Sequence, residues 1–177
     1  MAFWSDATGY EPKRAYRWIL RVDGLEVYTI KKVTKPGFSV TESQHQFLNH
    51  TFYYPGRIEW QTISFSLVDP INPDASKALV DKLTKAGYKY PTNAVDQSNL
   101  GTMSKAKSLD ALRNVSIEQL DANGQPIETW ELKNPWIKDV KFGELDYSTD
   151  DMVEITVELR YDSATYTSHA VGAPSNP

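Results

Sequence analysis

One stretch near the C-terminus constrains the fold more than any other. From Asp150 to Tyr161 the residues alternate. Val153, Ile155, Val157, Leu159 and Tyr161 fall on one side, and Glu154, Thr156, Glu158 and Arg160 on the other. A period of two is that of a β-strand, and one apolar and one charged face place it in a sheet with a core behind and water in front. Leaving that apolar face wet would cost several kcal/mol, at roughly 1.5–3 kcal/mol per side chain.

Similar strands recur along the chain. Ala15 to Val22 places Tyr16, Trp18, Leu20 and Val22 on one face, and Asp23-Gly24 signals a hairpin returning over Leu25 to Val33. Ile58 to Val68 reads as one strand, with Ile63, Phe65 and Leu67 sharing a face. Val115 to Leu120 and Ile127 to Leu132 flank an Asn123-Gly124 turn, and Trp136 to Phe142 is a further strand after Asn134-Pro135. One clear helix is predicted over Ala75 to Ala86, capped by Asp74 and stopped by Gly87, with Leu79, Val80 and Leu83 on a narrow apolar face. Residues 88–110 give no clear pattern beyond a short helix near Ser104 to Leu112. Seven or eight strands with one flanking helix imply two packed antiparallel sheets, a sandwich or barrel. Residues 1–14 read as an N-terminal arm, 15–165 as the domain and 166–177 as a flexible tail, the sequence turning polar from 164.

Residues 38–56 do not fit a core. Phe38 to His45 has strand spacing with little to bury, and Asn49 to Tyr54 follows before Pro55-Gly56. The segment reads as a long polar hairpin projecting from the body.

Catalytic chemistry has little to work with. Cys is absent, so there is no disulfide, thiolate site or cysteine nucleophile. His45, His50 and His169 lack partners at metal-ligand spacing and read as exposed histidines. No nucleophile elbow, phosphate-binding glycine loop or zinc-binding His-Glu-x-x-His pattern is present. Carboxylates are dense at Asp139, Glu144, Asp146, Asp150, Asp151, Glu154 and Glu158. In one strand Glu154 and Glu158 sit about 13 Å apart on one face, which reads as a solvated sheet face; a glycosidase would need two carboxylates across a cleft. The lysine groups Lys31, Lys32 and Lys35, Lys82, Lys85 and Lys89, and Lys105 and Lys107 are short and read as ordinary surface charge. A formal charge of -4 argues against a surface built to grip nucleic acid. No stretch approaches the roughly 18 apolar residues of a spanning helix, and Met1 to Asp6 shows no secretory leader.

The order of these segments, and above all the ending Asn134-Pro135-Trp136 to Tyr147 followed by Asp151 to Asp162, resembles the tail-tube proteins of T4-like contractile phages. Related subunits build the inner tubes of contractile injection particles and of type VI secretion. The resemblance implies a non-enzymatic structural subunit without cofactor. Six copies would form a ring whose inner sheets join into one barrel, and rings would stack into a tube inside a contractile sheath. The implied partners are further copies of the chain, the sheath protein, a baseplate tube initiator and a tail terminator, with genome DNA passing through unbound. The implied location is the virion tail, after assembly in the host cytoplasm. Glu154, Thr156, Glu158 and Arg160 would face the channel as an acidic wall that repels phosphate. The hairpin residues Glu42, Gln44, His45, Phe47, Asn49 and Phe52 would dock on the next ring. The alternatives are a tube carrying protein cargo and, more distantly, a carbohydrate-binding β-sandwich with Trp60, Trp130 or Trp136 as an exposed stacking platform.

Overall fold

The computed structural model describes residues 12–90 and 100–169. Within them the chain runs β1 (Trp18–Val22), a 3-10 turn (Val27–Thr29), β2 (Ile30–Val33), β3 (Phe38–Phe47), β4 (His50–Trp60) and β5 (Ile63–Val68). Helix α1 (Ala75–Lys85) and helix α2 (Lys105–Leu112) follow. The remainder is β6 (Val115–Leu120), β7 (Pro126–Lys133), β8 (Trp136–Lys141), β9 (Glu154–Arg160) and β10 (Ser163–Ser168). One four-stranded antiparallel sheet has the order β1-β6-β7-β10 and the other β2-β5-β9-β8, while β3 and β4 pair only with each other.

The core lies between the two four-stranded sheets. Leu20, Val22, Val115, Ile117 and Leu132 meet Ile63, Phe65, Leu67, Ile155, Val157 and Leu159 across it. Strand β9 shows the expected alternation, with Ile155, Val157 and Leu159 fully buried and Thr156 and Arg160 exposed. Helix α1 adds Ala75 and Leu79 to the same core. The Asp74 carboxylate accepts the Lys77 amide at 2.8 Å, as the capping residue should, and Gly87 takes φ +107° just past the helix end. A second helix is present: Ser104 caps α2, which buries Ala111 and Leu112.

Four features depart from the sequence reading. Asp23-Gly24 does not close a β-hairpin: β1 pairs with β6, and the 3-10 turn carries the chain across to β2, which pairs with β5 in the other sheet. Ile58 to Val68 is two strands, broken at Gln61-Thr62, because β4 belongs to the hairpin while β5 turns to β2 and β9. Pro55-Gly56 does not interrupt β4; the ladder absorbs it as a bulge opposite Thr41, whose hydroxyl accepts the Arg57 amide at 2.8 Å. Gly56 is required there, since a Cβ would lie 2.4 Å from the Thr41 Oγ1. Finally, Ser163–Ser168, where a polar tail was expected to begin, is an edge strand on β7, with Ala164 packed on the core and Tyr166 against Trp130 at 4.9 Å.

Candidate functional site: two sheet edges, a projecting hairpin and a charged face

The β3–β4 hairpin stands away from the body. Its residues are exposed along the whole length except Trp60, at its root. It is anchored there by aromatic packing, with Phe38 edge-on to Trp60 at 5.5 Å and Trp60 beside Tyr161 at 6.0 Å. The Gln61 amide also donates to the Gly37 carbonyl at 2.9 Å. Beyond the bulge, register separates the candidate docking residues. His45 opposes Phe52, Phe47 opposes His50 and Ser43 opposes Tyr54, so these share one face. Glu42 opposes Pro55 and Gln44 opposes Tyr53 on the other face, and Asn49 lies in the two-residue turn. Leu48 also occupies this turn with φ +51°, a backbone state that a branched side chain rarely adopts, and is 87% exposed. The sequence reading left out Leu48, His50, Tyr53 and Tyr54; the run Phe52-Tyr53-Tyr54 in a segment with no core to join was the available signal.

Glu154, Thr156, Glu158 and Arg160 share the outward face of the β2-β5-β9-β8 sheet, but they do not form an acid-only wall. Lys31 pairs with Glu154 and Lys138 with Glu158, the latter at 2.8 Å. The Lys138 hydrogen bond, with one from Thr62, holds the Glu158 carboxyl below its ordinary range. Register adds Lys32 and Lys141 in line with Thr156, and Asp139 opposite Glu158. The face thus carries Lys31, Lys32, Lys138, Lys141 and Arg160 against Asp139, Glu154 and Glu158. The lysines come from β2 and β8, strands with no charge alternation of their own, so β9 alone could not show them.

Both edges of this sheet, β2 and β8, lack a strand partner among the described residues. Beside β8, helices α1 and α2 leave an apolar groove of about 550 Å³, lined by Leu79, Leu83, Met103, Trp136, Val140 and Phe142 among others. Lys82 in its wall is not a surface lysine. Burial lowers its affinity for the proton, and its ammonium donates to the Ala111 carbonyl at 3.1 Å.

Glu128 is a second charged group that the sequence reading missed. It is 4% exposed on β7 and accepts Lys13 and Lys35. Burial pushes its carboxyl up, but hydrogen bonds and charge from the two ammonium groups outweigh that and hold it below the usual range. Gln119, opposite it on β6, donates to the Arg14 and Arg17 carbonyls at 2.7 and 2.8 Å. The cluster therefore ties the N-terminal segment and the Lys35 linker before the hairpin to the body.

Among the described residues no group of three or more His, Asp or Glu side chains could hold a metal ion, and no helix is long and apolar enough to cross a membrane. His45 and His50 are exposed on the hairpin, and the His169 ring shares a hydrogen bond with the Thr129 hydroxyl at 2.9 Å. Trp60, Trp130 and Trp136 are each half-buried against neighbouring side chains, so none offers an open platform for a sugar ring.

Comparison with known proteins agrees with this architecture. No curated protein sequence matches the chain. Residues 90–165, spanning α2 and β6 to β9, match the family of the T4-like virus tail tube protein gp19. Among solved structures, a chain of the anti-feeding prophage baseplate, six-fold symmetrised, aligns with a TM-score of 0.65 at 14% identity, over 92% of this chain and 100% of that one. A chain from the sheath/tube terminator of the PVC extracellular contractile injection system aligns at 0.66 and 17% identity, over 92% and 100%. One from the PVC sheath-tube complex aligns at 0.60 and 16%, over 89% and 92%. The resemblance read from the sequence is thereby borne out: the chain matches the T4-like tail tube family over residues 90–165 and shares its fold with chains of contractile injection systems.

Proposed function

We propose that the chain is a non-enzymatic subunit of the inner tube of a contractile phage tail or phage-like particle, closing into six-membered rings that stack. The observation that carries this is the pair of open edges on a sheet of four antiparallel strands. With an even strand count, β2 and β8 run in opposite directions, so β8 of one copy pairs antiparallel with β2 of the next and every ring edge is satisfied. The charged face of that sheet then lines the channel, and the hairpin reaches the neighbouring ring through Phe47, Phe52, His45 and the tip around Asn49. Sheath, initiator and terminator are the partners such a tube requires, and the solved sheath-tube and terminator assemblies contain the same fold.

Genome DNA is the cargo in the phage reading. Protein cargo in an injection particle is the second reading, and one observation favours it: the channel-lining face carries more lysine and arginine than carboxylate, which does not repel a phosphate backbone. Electron microscopy and mass photometry of the purified protein test the assembly. Rings or tubes are expected at high concentration; a monomer at every concentration, including with a tube initiator complex, overturns the proposal.

A further inference from the structure

Among the described residues nothing fills the groove beside β8, and the opposite edge of the same sheet carries a side chain that suits it. In the 3-10 turn just before β2, Tyr28 is 74% exposed and Val27 is partly exposed, while Thr29 is buried, its hydroxyl donating to the Glu26 carbonyl at 2.7 Å. The turn is therefore fixed in place while its tyrosine points away from its own core. Tyr28 also lies level with one end of the groove, the end that Phe142 walls. Ile30 pairs with Leu67, next to the Val68–Glu154 pair, and Lys141 pairs with Thr156 on that same end of the sheet. Phe142, one residue past β8, is a wall of the groove. The layers match too. The turn crosses from the β1 sheet to the β2 sheet, so it sits at the level of the core. The groove, bounded by Ile137 and Val140 below and by α1 and α2 above, opens at that level on the other edge.

We infer that the groove between α1, α2 and β8 is a socket for Tyr28 of a second copy of this chain, seated when that copy's β2 pairs with β8. The inference rests on the ring reading above and adds its side-chain recognition. Backbone pairing of two edges is indifferent to register, and a one-residue slip would turn every side chain to the wrong face. A tyrosine in an apolar socket at one end of the pair sets the register and supplies the buried aromatic anchor that interfaces favour. Two helices that otherwise only cap one side of a sheet thereby become half of a joint.

Because the chain contains no cysteine, engineered pairs report the contact without background. Full-length Tyr28→Cys combined with Met103→Cys, and separately with Phe142→Cys, is assembled and oxidised. Lys32→Cys with Lys138→Cys or with Lys141→Cys reports the strand edges. Disulfide-linked ladders from at least one Tyr28 pair, absent in each single variant, are expected. Tyr28→Ala should leave the monomer's thermal stability unchanged while raising the concentration for half-assembly at least tenfold. Edge pairs that cross-link while neither Tyr28 pair does, or Tyr28→Ala assembling like the parent, overturn the socket and leave the ring standing. A chain that stays monomeric with no cross-link in any pair overturns both.

Discussion

Glu128 joins three separate segments of the chain. A buried carboxylate is tolerated only if its charge is met, and here two lysines from separate segments meet it. Glu128→Gln should cost about 1–2 kcal/mol at neutral pH, the lower range for losing a charged hydrogen-bond partner, because both lysines are half-exposed and can rehydrate. The acid binds its proton more weakly folded than unfolded. Its contribution is thus complete above the unfolded value of about 4.3 and fades as pH falls through the depressed folded value. Denaturant titrations across pH should show the gap between parent and variant at pH 7 closing below about pH 4; a gap that widens in acid contradicts the assignment. Gly87, like Gly56, is a residue whose identity the backbone dictates. A Cβ there would lie 2.8 Å from the Thr102 carbonyl oxygen at φ +107°. Gly87→Ala should lower stability by about 1–3 kcal/mol, read as a drop in Tm.

At the scale of elements, the hairpin makes a sharper case. It contributes no residue to the buried cluster, and Trp60 at its root only packs against that cluster. Removing residues 43–51 and closing the strands with a short turn should therefore leave the subunit folded, with Tm within a few degrees of the parent, while abolishing stacking of rings in electron micrographs. Leu48→Gly relieves an unfavourable positive φ and should hold or slightly raise stability, by up to about 1 kcal/mol. If the exposed leucine is kept at that strained position for contact with another ring, the same change should shorten the tubes; tubes of normal length in Leu48→Gly would remove the tip from the interface. The hairpin was legible because its residues had strand spacing with nothing to bury, and β9 was legible because its two faces differ in chemistry. What escaped were decisions made by partners distant in sequence. Asp23-Gly24 has hairpin chemistry, yet β6 outcompetes β2 for β1. Ile58 to Val68 keeps strand-like spacing throughout, and only the change of ladder partner at Gln61 divides it. Ser163–Ser168 is polar and becomes a strand because β7 offers it an edge. Glu128 gave no local sign of burial, since its two lysines lie 115 and 93 positions away.

For the whole molecule, function turns on what the assembled channel presents to its contents. Strand β9 by itself suggests a repelling acidic wall, but the folded sheet sets lysines from β2 and β8 against Glu154 and Glu158 and leaves a mixed surface, largely paired, on which basic groups outnumber carboxylates. Fields from such paired charges cancel within a few ångströms, and the remainder is screened over roughly 8 Å at physiological salt. Cargo of either sign should then slide with little electrostatic drag. Glu154→Lys combined with Glu158→Lys tests this directly. Both ion pairs are exposed to solvent, which screens them, so the fold and the rings should survive their loss. The face gains four positive charges per subunit. Repeated around a ring and along a tube, these make a continuous cationic bore that holds phosphate by displacing its counterions. Variant tubes should retain labelled DNA at low salt and release it as salt rises, with a steep log-log slope, whereas parent tubes retain little at any salt. If variant and parent tubes retain DNA equally, the β2-β5-β9-β8 face does not line the channel, and the ring must close with a different surface inward.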